Sequence, residues 1–171
     1  MSDLLRDLWY FAATSRELKS GAMFRREIMG EPVVLGRDAN GAAFALRDIC
    51  PHRAVPLSAG RITDTNGAQT VECPYHGWRF GTQDGVCKQI PSLVEGQPYE
   101  ASRIRVRRFP THEANGIVLV FVSSDARFIG EPPPAPEFGL GELADPKFVI
   151  ERTFAASMDN AVVGLMDPAH V

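Results

Sequence analysis

Short apolar segments that alternate with polar turn residues dominate the first two thirds of the chain. The candidate strands share branched or aromatic residues between Gly, Asn or Asp, and comprise residues 24–29, 32–37, 42–47, 78–80, 86–88, 102–109 and 116–122. Asn40-Gly41 is typical of a tight hairpin turn, because both residues accept positive φ angles. The pattern predicts a mainly β fold, a small antiparallel sandwich or barrel.

The pattern changes after residue 122. Residues 131–136 read Glu-Pro-Pro-Pro-Ala-Pro, which predicts an extended linker because proline lacks a backbone donor and has a fixed φ. Beyond this linker, residues 147–155 resemble one strand and residues 158–171 the start of a helix. We therefore predict three parts, namely a domain at 1–122, a Pro-rich linker at 123–146 and the opening of a second domain at 147–171.

Composition narrows the function classes. The 171 residues are 44% hydrophobic, enough for one full core, and the net charge is −3. A nucleic-acid-binding domain usually shows a basic excess, and no apolar stretch is long enough to span a bilayer. Residues 1–8 have no apolar signal core. We expect a cytoplasmic protein with neither nucleic acid nor membrane as a partner.

Two Cys-Pro segments carry the candidate chemistry, Cys50-Pro51-His52-Arg53 and Cys73-Pro74-Tyr75-His76-Gly77-Trp78. Each offers one thiolate and one imidazole. In a Rieske [2Fe–2S] centre two cysteines hold one iron and two histidines hold the other. The segments therefore predict a cluster held by Cys50, His52, Cys73 and His76. Both irons would then have their ligands, so the third cysteine, Cys87, is expected to be a small buried residue.

A structural zinc site is the alternative, since zinc also accepts Cys and His. Zinc sites usually pair Cys with Cys, or His with His, at short spacing, whereas each segment here holds one of each. The spacing therefore favours the iron–sulfur interpretation.

Residues 50–53 and 73–78 resemble the N-terminal Rieske domain of ring-hydroxylating and O-demethylating non-haem iron oxygenases. Trp9-Tyr10, residues 56–58 and 60, and residues 85–87 before Ile90-Pro91 also lie where that family has similar residues. The resemblance covers nearly the whole chain. It implies a Rieske-type β-sandwich or barrel with a cluster-binding subdomain, followed by the first strand and the helix start of an α+β catalytic domain.

The resemblance also assigns roles near residue 170. His170 would be the first ligand of a mononuclear non-haem Fe(II), held by two His and one carboxylate. Asp167 would act in catalysis by bridging His170 to the His76 of a neighbouring subunit. The second His would fall five residues after His170, at position 175, so residues 1–171 are not expected to complete this iron site.

A helix cap is the alternative for the segment around Asp167, because an acid before a proline is common where a helix begins. The role of Asn160 stays open, since its offset from Asp167 does not match the family cleanly.

The expected function is therefore electron transfer within an oxygenase. An NAD(P)H-dependent reductase or a ferredoxin would supply electrons, and the cluster would pass them to a mononuclear iron. That iron would activate O₂ to hydroxylate or demethylate a small organic, aromatic substrate, in a homotrimer. The alternative is a stand-alone Rieske ferredoxin-type carrier, which needs only about 120 residues.

Four arginines cluster in the candidate strand 102–109, namely Arg103, Arg105, Arg107 and Arg108. Either they form a solvated strand face or they dock an acidic reductase or ferredoxin. Trp78 is expected to shield the cluster, Gly77 to allow close backbone approach to it, and His112 to lie exposed in a polar turn at 110–116.

Overall fold

The computed structural model describes residues 5–94, 96–97, 99–137 and 155–166. The strands of this part are β1 (Leu8–Thr14), β2 (Met23–Ile28), β3 (Glu31–Arg37), β4 (Ala43–Arg47), β5 (Arg61–Thr65), β6 (Ala68–Glu72), β7 (Arg79–Gly81), β8 (Cys87–Gln89), β9 (Thr111–Ala114) and β10 (Ile117–Val122). Short 3₁₀ turns lie at Leu57–Ala59 and Ala101–Arg103, and one α-helix, α1, spans Met158–Met166. The mainly β prediction is confirmed.

Three antiparallel sheets result. Their strand orders are β1-β10-β9, β2-β3-β4 and β5-β6-β7-β8. The third sheet and the loops beside it form the subdomain that carries both Cys-Pro segments. The first segment begins three residues after β4, and the second begins directly after β6. Strand ends therefore supply both candidate ligand loops.

Strand β3 contributes to two hydrophobic cores. Val33 and Leu35 pack between the first two sheets, whereas Val34 points into the core beneath the Cys-Pro segments. All three side chains are fully buried. Successive side chains of a strand point to opposite faces, so covering both faces explains why this strand is an unbroken apolar run.

Several strands match the sequence prediction closely. The hairpin at Asn40-Gly41 joins β3 to β4 as expected, and Gly41 has a φ of +83°. Four strands were missed, namely β1, β5, β6 and β9. Strand β1 pairs with β10 from the far end of the domain, and such distant pairing leaves no local turn signal.

The predicted strand at 102–109 is wrong. Residues 101–103 form a 3₁₀ turn, and the rest joins its neighbours only by isolated bridges, at Arg105 to Val86 and at Arg108 to Leu46. The predicted turn at 110–116 is instead the hairpin of β9 and β10, with His112 exposed as expected. Arginines at positions 103, 105 and 107 alternate with Ile104 and Val106, which mimics the pattern of a strand although no ladder forms.

The segment after β10 leaves the sheet. No helix or strand lies in residues 123–137, and the Trp9 indole N–H donates to the Pro133 carbonyl at 2.9 Å. This contact ties the Pro-rich segment to the first sheet.

The predicted strand at 147–155 lies almost wholly outside the described residues. In the described part of the chain, no helix is long and apolar enough to cross a membrane. The three-part division stays a prediction.

Gly85 tests the close approach between the third sheet and the 104–109 segment. It has a φ of +66°, and a Cβ there would overlap the Val106 carbonyl oxygen. We expect Gly85→Ala to lower the free energy of unfolding by about 3 kcal/mol, from backbone strain plus overlap. Gly41→Ala is the control, because it shares the positive φ but has open space.

The control should cost only about 1 kcal/mol, from the left-handed backbone alone. Chemical denaturation of both variants measures the difference. Equal losses would show that the Val106 contact contributes nothing.

Candidate metal centre

The two Cys-Pro loops have the same backbone hydrogen bonds. In the first loop the Cys50 N–H donates to the Val55 carbonyl at 2.9 Å, and the Ala54 N–H donates to the Cys50 carbonyl at 2.8 Å. In the second loop the Cys73 N–H donates to the Trp78 carbonyl at 2.8 Å, and the Gly77 N–H donates to the Cys73 carbonyl at 3.1 Å. Each loop is therefore closed on its own cysteine.

Equivalent positions of the two loops also share a left-handed backbone. Ala54 has a φ of +56° and Gly77 a φ of +68°. Glycine adopts this conformation freely, whereas alanine pays about 1 kcal/mol or more. Gly77 thus has a backbone reason for its identity, and it also packs closely against Pro91. Sequence reasoning missed Ala54, although aligning Cys50 with Cys73 would have paired it with Gly77.

Acidic side chains brace the bases of both loops, Asp48 being buried and Glu72 half-buried. The Asp48 carboxylate is almost fully buried and accepts hydrogen bonds from the Ser58 N–H and hydroxyl, both at 2.7 Å. Below the second loop, Glu72 forms an ion pair with Arg79 at 2.8 Å. Glu72 directly precedes Cys73 in the chain, and Arg79 directly follows Trp78. Sequence reasoning missed Asp48 too, because nothing in its local pattern marks a buried acid.

The two thiols lie together and are free. Cys50 is 2% exposed and Cys73 3% exposed, and the two side chains are close enough to hydrogen bond. Burial raises the pKa of Cys50 to about 11, while N–H groups of His52 and Arg53 donate towards its sulfur and oppose that shift. Such donors stabilise a thiolate once a cation is bound.

The two imidazoles form the exposed side of the site. The ring centroids of His52 and His76 are 4.8 Å apart. Trp78 stacks on His52 at 4.5 Å and 5°, and Tyr75 covers His76 at 3.9 Å. Loss of hydration lowers the pKa of His52, and the charges of His76 and Arg53 lower it further. A neutral imidazole is the form that binds metal.

This donor set fits a two-iron cluster. A [2Fe–2S] cluster of the Rieske type needs a thiol pair on one iron and an imidazole pair on the other. The structure brings the thiols of Cys50 and Cys73 together as one pair and the rings of His52 and His76 together as another.

The remaining candidate residues lie elsewhere. Asp167 and His170 fall outside the described residues, so their roles stay predictions. Cys87 is buried in the core beneath the loops, as expected for a small core residue. Arg107 lies almost buried between Glu31 and the Ser123 carbonyl, so it does not belong to an exposed arginine face.

Fold and donor set together define an iron–sulfur electron-transfer domain. The Rieske [2Fe-2S] domain model matches residues 8–110, and the chain belongs to this family. Its cofactor is therefore the Rieske [2Fe–2S] cluster. The resemblance predicted from residues 50–53 and 73–78 is confirmed.

Relatives agree with this assignment. The 3-chlorobenzoate-3,4-dioxygenase oxygenase subunit of Comamonas testosteroni is 34% identical over 125 residues, which is 72% of this chain and 28% of the relative. Crystalline dicamba monooxygenase bound to dicamba superimposes with a TM-score of 0.65 at 35% identity, covering 82% of this chain and 41% of that chain. The reduced complex between oxygenase and ferredoxin in carbazole 1,9a-dioxygenase superimposes with a TM-score of 0.62 at 29% identity. This match covers 75% of this chain and 30% of that chain.

These relatives are longer proteins. The chain spans less than half the length of each of them. The shared part therefore establishes the Rieske domain, and the activity of a whole protein is a separate question.

Asp48 tests how the first loop is held. Asp48→Ala leaves the Ser58 N–H without its partner, so we expect a loss of about 3 kcal/mol in unfolding free energy. We also expect cluster retention to fall about tenfold, since outer groups orient metal ligands. Iron content per chain and visible absorbance after gel filtration measure this.

Asp38→Ala is the matched control. Asp38 is equally buried and accepts from the Asn40 and Ala42 N–H groups at 3.0 Å, in a hairpin that carries no candidate ligand. It should lose similar stability with normal iron content. Equal iron loss in both variants would contradict a specific role for Asp48.

Proposed function

We propose that Cys50, His52, Cys73 and His76 hold the Rieske cluster, with one iron on the two thiolates and the other on the two imidazoles. The observation that carries this proposal is the convergence of two hydrogen-bonded Cys-Pro loops, which pairs buried thiols beside exposed imidazoles. The bound cluster accepts and releases one electron, at a potential above that of an all-cysteine cluster.

The chain's own side chains tune this site. N–H groups of His52 and Arg53 donate towards the Cys50 sulfur and stabilise negative charge there. The rings of Trp78 and Tyr75 cover the two imidazoles and exclude part of the water around them. Both effects act on the potential, because hydrogen bonds to sulfur and solvent exposure set it.

The wider function we propose is that of the electron-transfer part of a Rieske non-haem iron oxygenase. The similar proteins described above are named as oxygenases, which supports this function over a stand-alone ferredoxin-type carrier. Helix α1 and the segment tied to Trp9 extend beyond the small domain that a carrier needs. In the full-length protein, His170 would be a ligand of a mononuclear Fe(II), and Asp167 would link it to a neighbouring cluster.

The partners follow from this function. An NAD(P)H-dependent reductase or a ferredoxin would supply electrons, and a small organic, aromatic compound would be oxidised with O₂. The complex of oxygenase and ferredoxin in carbazole 1,9a-dioxygenase supports a ferredoxin. A homotrimer would let electrons cross between subunits. Three free cysteines suit the reducing cytoplasm.

Replacing one cysteine at a time tests the ligands. Cys73→Ala should abolish iron binding, because one iron loses half of its protein ligands. Cys87→Ala is the control, since Cys87 is equally buried in the same core. It should retain two irons and two sulfides per chain and the electron paramagnetic resonance of a reduced Rieske centre. Stoichiometric zinc without iron in the wild-type chain would contradict the proposal.

Asp167 tests the wider function in the protein that continues beyond residue 171, where we expect a histidine at position 175. Asp167→Ala should slow electron transfer from the cluster to the mononuclear iron by more than tenfold, because it removes the link between two imidazoles. Rapid-quench single-turnover measurement gives this rate. An unchanged rate, with an unchanged cluster spectrum, would show that electrons take another route.

A further inference from the structure

A cavity of about 650 Å³ lies beside the first Cys-Pro loop. Five arginines line it, coming from three separate parts of the chain, namely Arg47, Arg105, Arg107, Arg108 and Arg127. Asp84 is the acidic residue of the lining, and its carboxylate is already paired with Lys88 at 2.5 Å. We call this feature the arginine cavity.

Most of the positive charge in the arginine cavity is uncompensated. Arg107 and Arg47 share the single carboxylate of Glu31, at 2.9 Å and 3.8 Å, and Arg6 approaches the same group at 3.2 Å. Burial lowers the pKa of Arg107, and repulsion from Arg6 and Arg47 adds to that shift against the pull of Glu31. These arginines therefore repel one another already.

The other three arginines lack an acid partner within the described residues. Arg108 donates to the Gln83 carbonyl at 3.1 Å, and the guanidinium groups of Arg105 and Arg127 form no ion pair with any residue that the structure describes. Both of the latter residues are exposed to solvent. A carboxylate group entering from outside would relieve the repulsion and could pair with them bidentately.

The rest of the lining is apolar. Ile49 and Val106 contribute to it, and Phe128 and Ile129 come from the segment after β10, with Ile129 83% exposed. A surface that combines apolar and charged residues is typical of transient protein interfaces, including those of electron-transfer partners.

The position of the cavity relative to the proposed ligands gives it a function. Pro51 lines it, and Pro51 joins Cys50 to His52 in the chain. The lining does not include Tyr75, His76 or Trp78. A protein seated in the cavity would therefore contact the first ligand loop and leave the second ligand loop uncovered.

We propose that the arginine cavity docks an Asp- or Glu-rich segment of the protein that reduces the cluster. This proposal rests on the proposed electron-transfer function. One electron leaves the reduced iron–sulfur centre of the donor and enters the oxidised [2Fe–2S] cluster of this chain, and no bond forms or breaks. The arginines attract and orient the donor, since complementary charge mainly raises association rates.

Stopped-flow reduction tests the proposal. The probe is an acidic plant-type [2Fe–2S] ferredoxin, reduced beforehand, whose potential lies below that of a Rieske centre. It is mixed with the oxidised, cluster-loaded chain at low ionic strength. The test variant is Arg105→Glu with Arg127→Glu, two exposed positions that should fold normally. We expect its second-order rate constant to fall at least tenfold, within the range of electrostatic steering.

The matched control is Lys19→Glu with Arg103→Glu, which changes the net charge equally at exposed positions outside the cavity. It should react within about twofold of the wild type at the same ionic strength. Added salt should slow the wild type towards the cavity variant, because screening removes the attraction. Equal slowing in both variants, or none in the cavity variant, would overturn the proposal.

Two further measurements distinguish docking from effects on the cluster or on self-association. Equilibrium redox titration should give the same potential for all three chains; a changed potential in the cavity variant would mean that the arginines act on the cluster, and would overturn the proposal. Sedimentation velocity should give the same oligomeric state for all three chains. Dissociation of the cavity variant alone would mean that the cavity binds a second copy of this chain, and would equally overturn the proposal. A wild-type chain without a reducible cluster would instead refute the proposed function itself.

Discussion

The structure depends on closing two loops, each on the backbone of its own cysteine. The N–H and the carbonyl of Cys50 and of Cys73 are both used within their own loops. The side chains of the two cysteines lie close enough to hydrogen bond with each other. The histidine of each loop then follows at a set distance along a rigid turn. Closed turns of this kind favour a metal centre with mixed ligands, because they limit the positions that its four candidate ligands can take.

The charges around the loops are unevenly distributed. The whole chain carries a net charge of −3, yet the cavity beside the first loop is strongly positive. N–H groups of the first loop donate towards the Cys50 sulfur, while Arg105 and Arg127 of the arginine cavity are exposed to solvent. The net charge of the chain therefore does not predict how a partner approaches this protein. The local arrangement of a few charged side chains is a better guide.

Predictions from the sequence were most accurate where they depend on residues that are adjacent in the chain. The Asn40-Gly41 hairpin depends on adjacent residues, and the structure has it where the pattern predicts. The ligand candidates Cys50 and His76 were also predicted from adjacent residues, and their role as ligands stays a proposal. Strand β1 was missed because its partner β10 lies about a hundred residues away. Arg107 was grouped with exposed arginines because alternation in a sequence does not reveal that Glu31 lies opposite. Asp48 and Ala54 were missed for a related reason, since burial and backbone strain appear only after folding.

Strand β3 belongs to both hydrophobic cores of the domain, and this affects how the protein unfolds. Val33 and Leu35 belong to one core and Val34 to the other, so neither core can open without exposing part of the same strand. The sheets and the ligand loops should therefore melt as a single cooperative unit. Release of iron and global unfolding would then share one transition, and the stability of the protein would record whether its cofactor is in place.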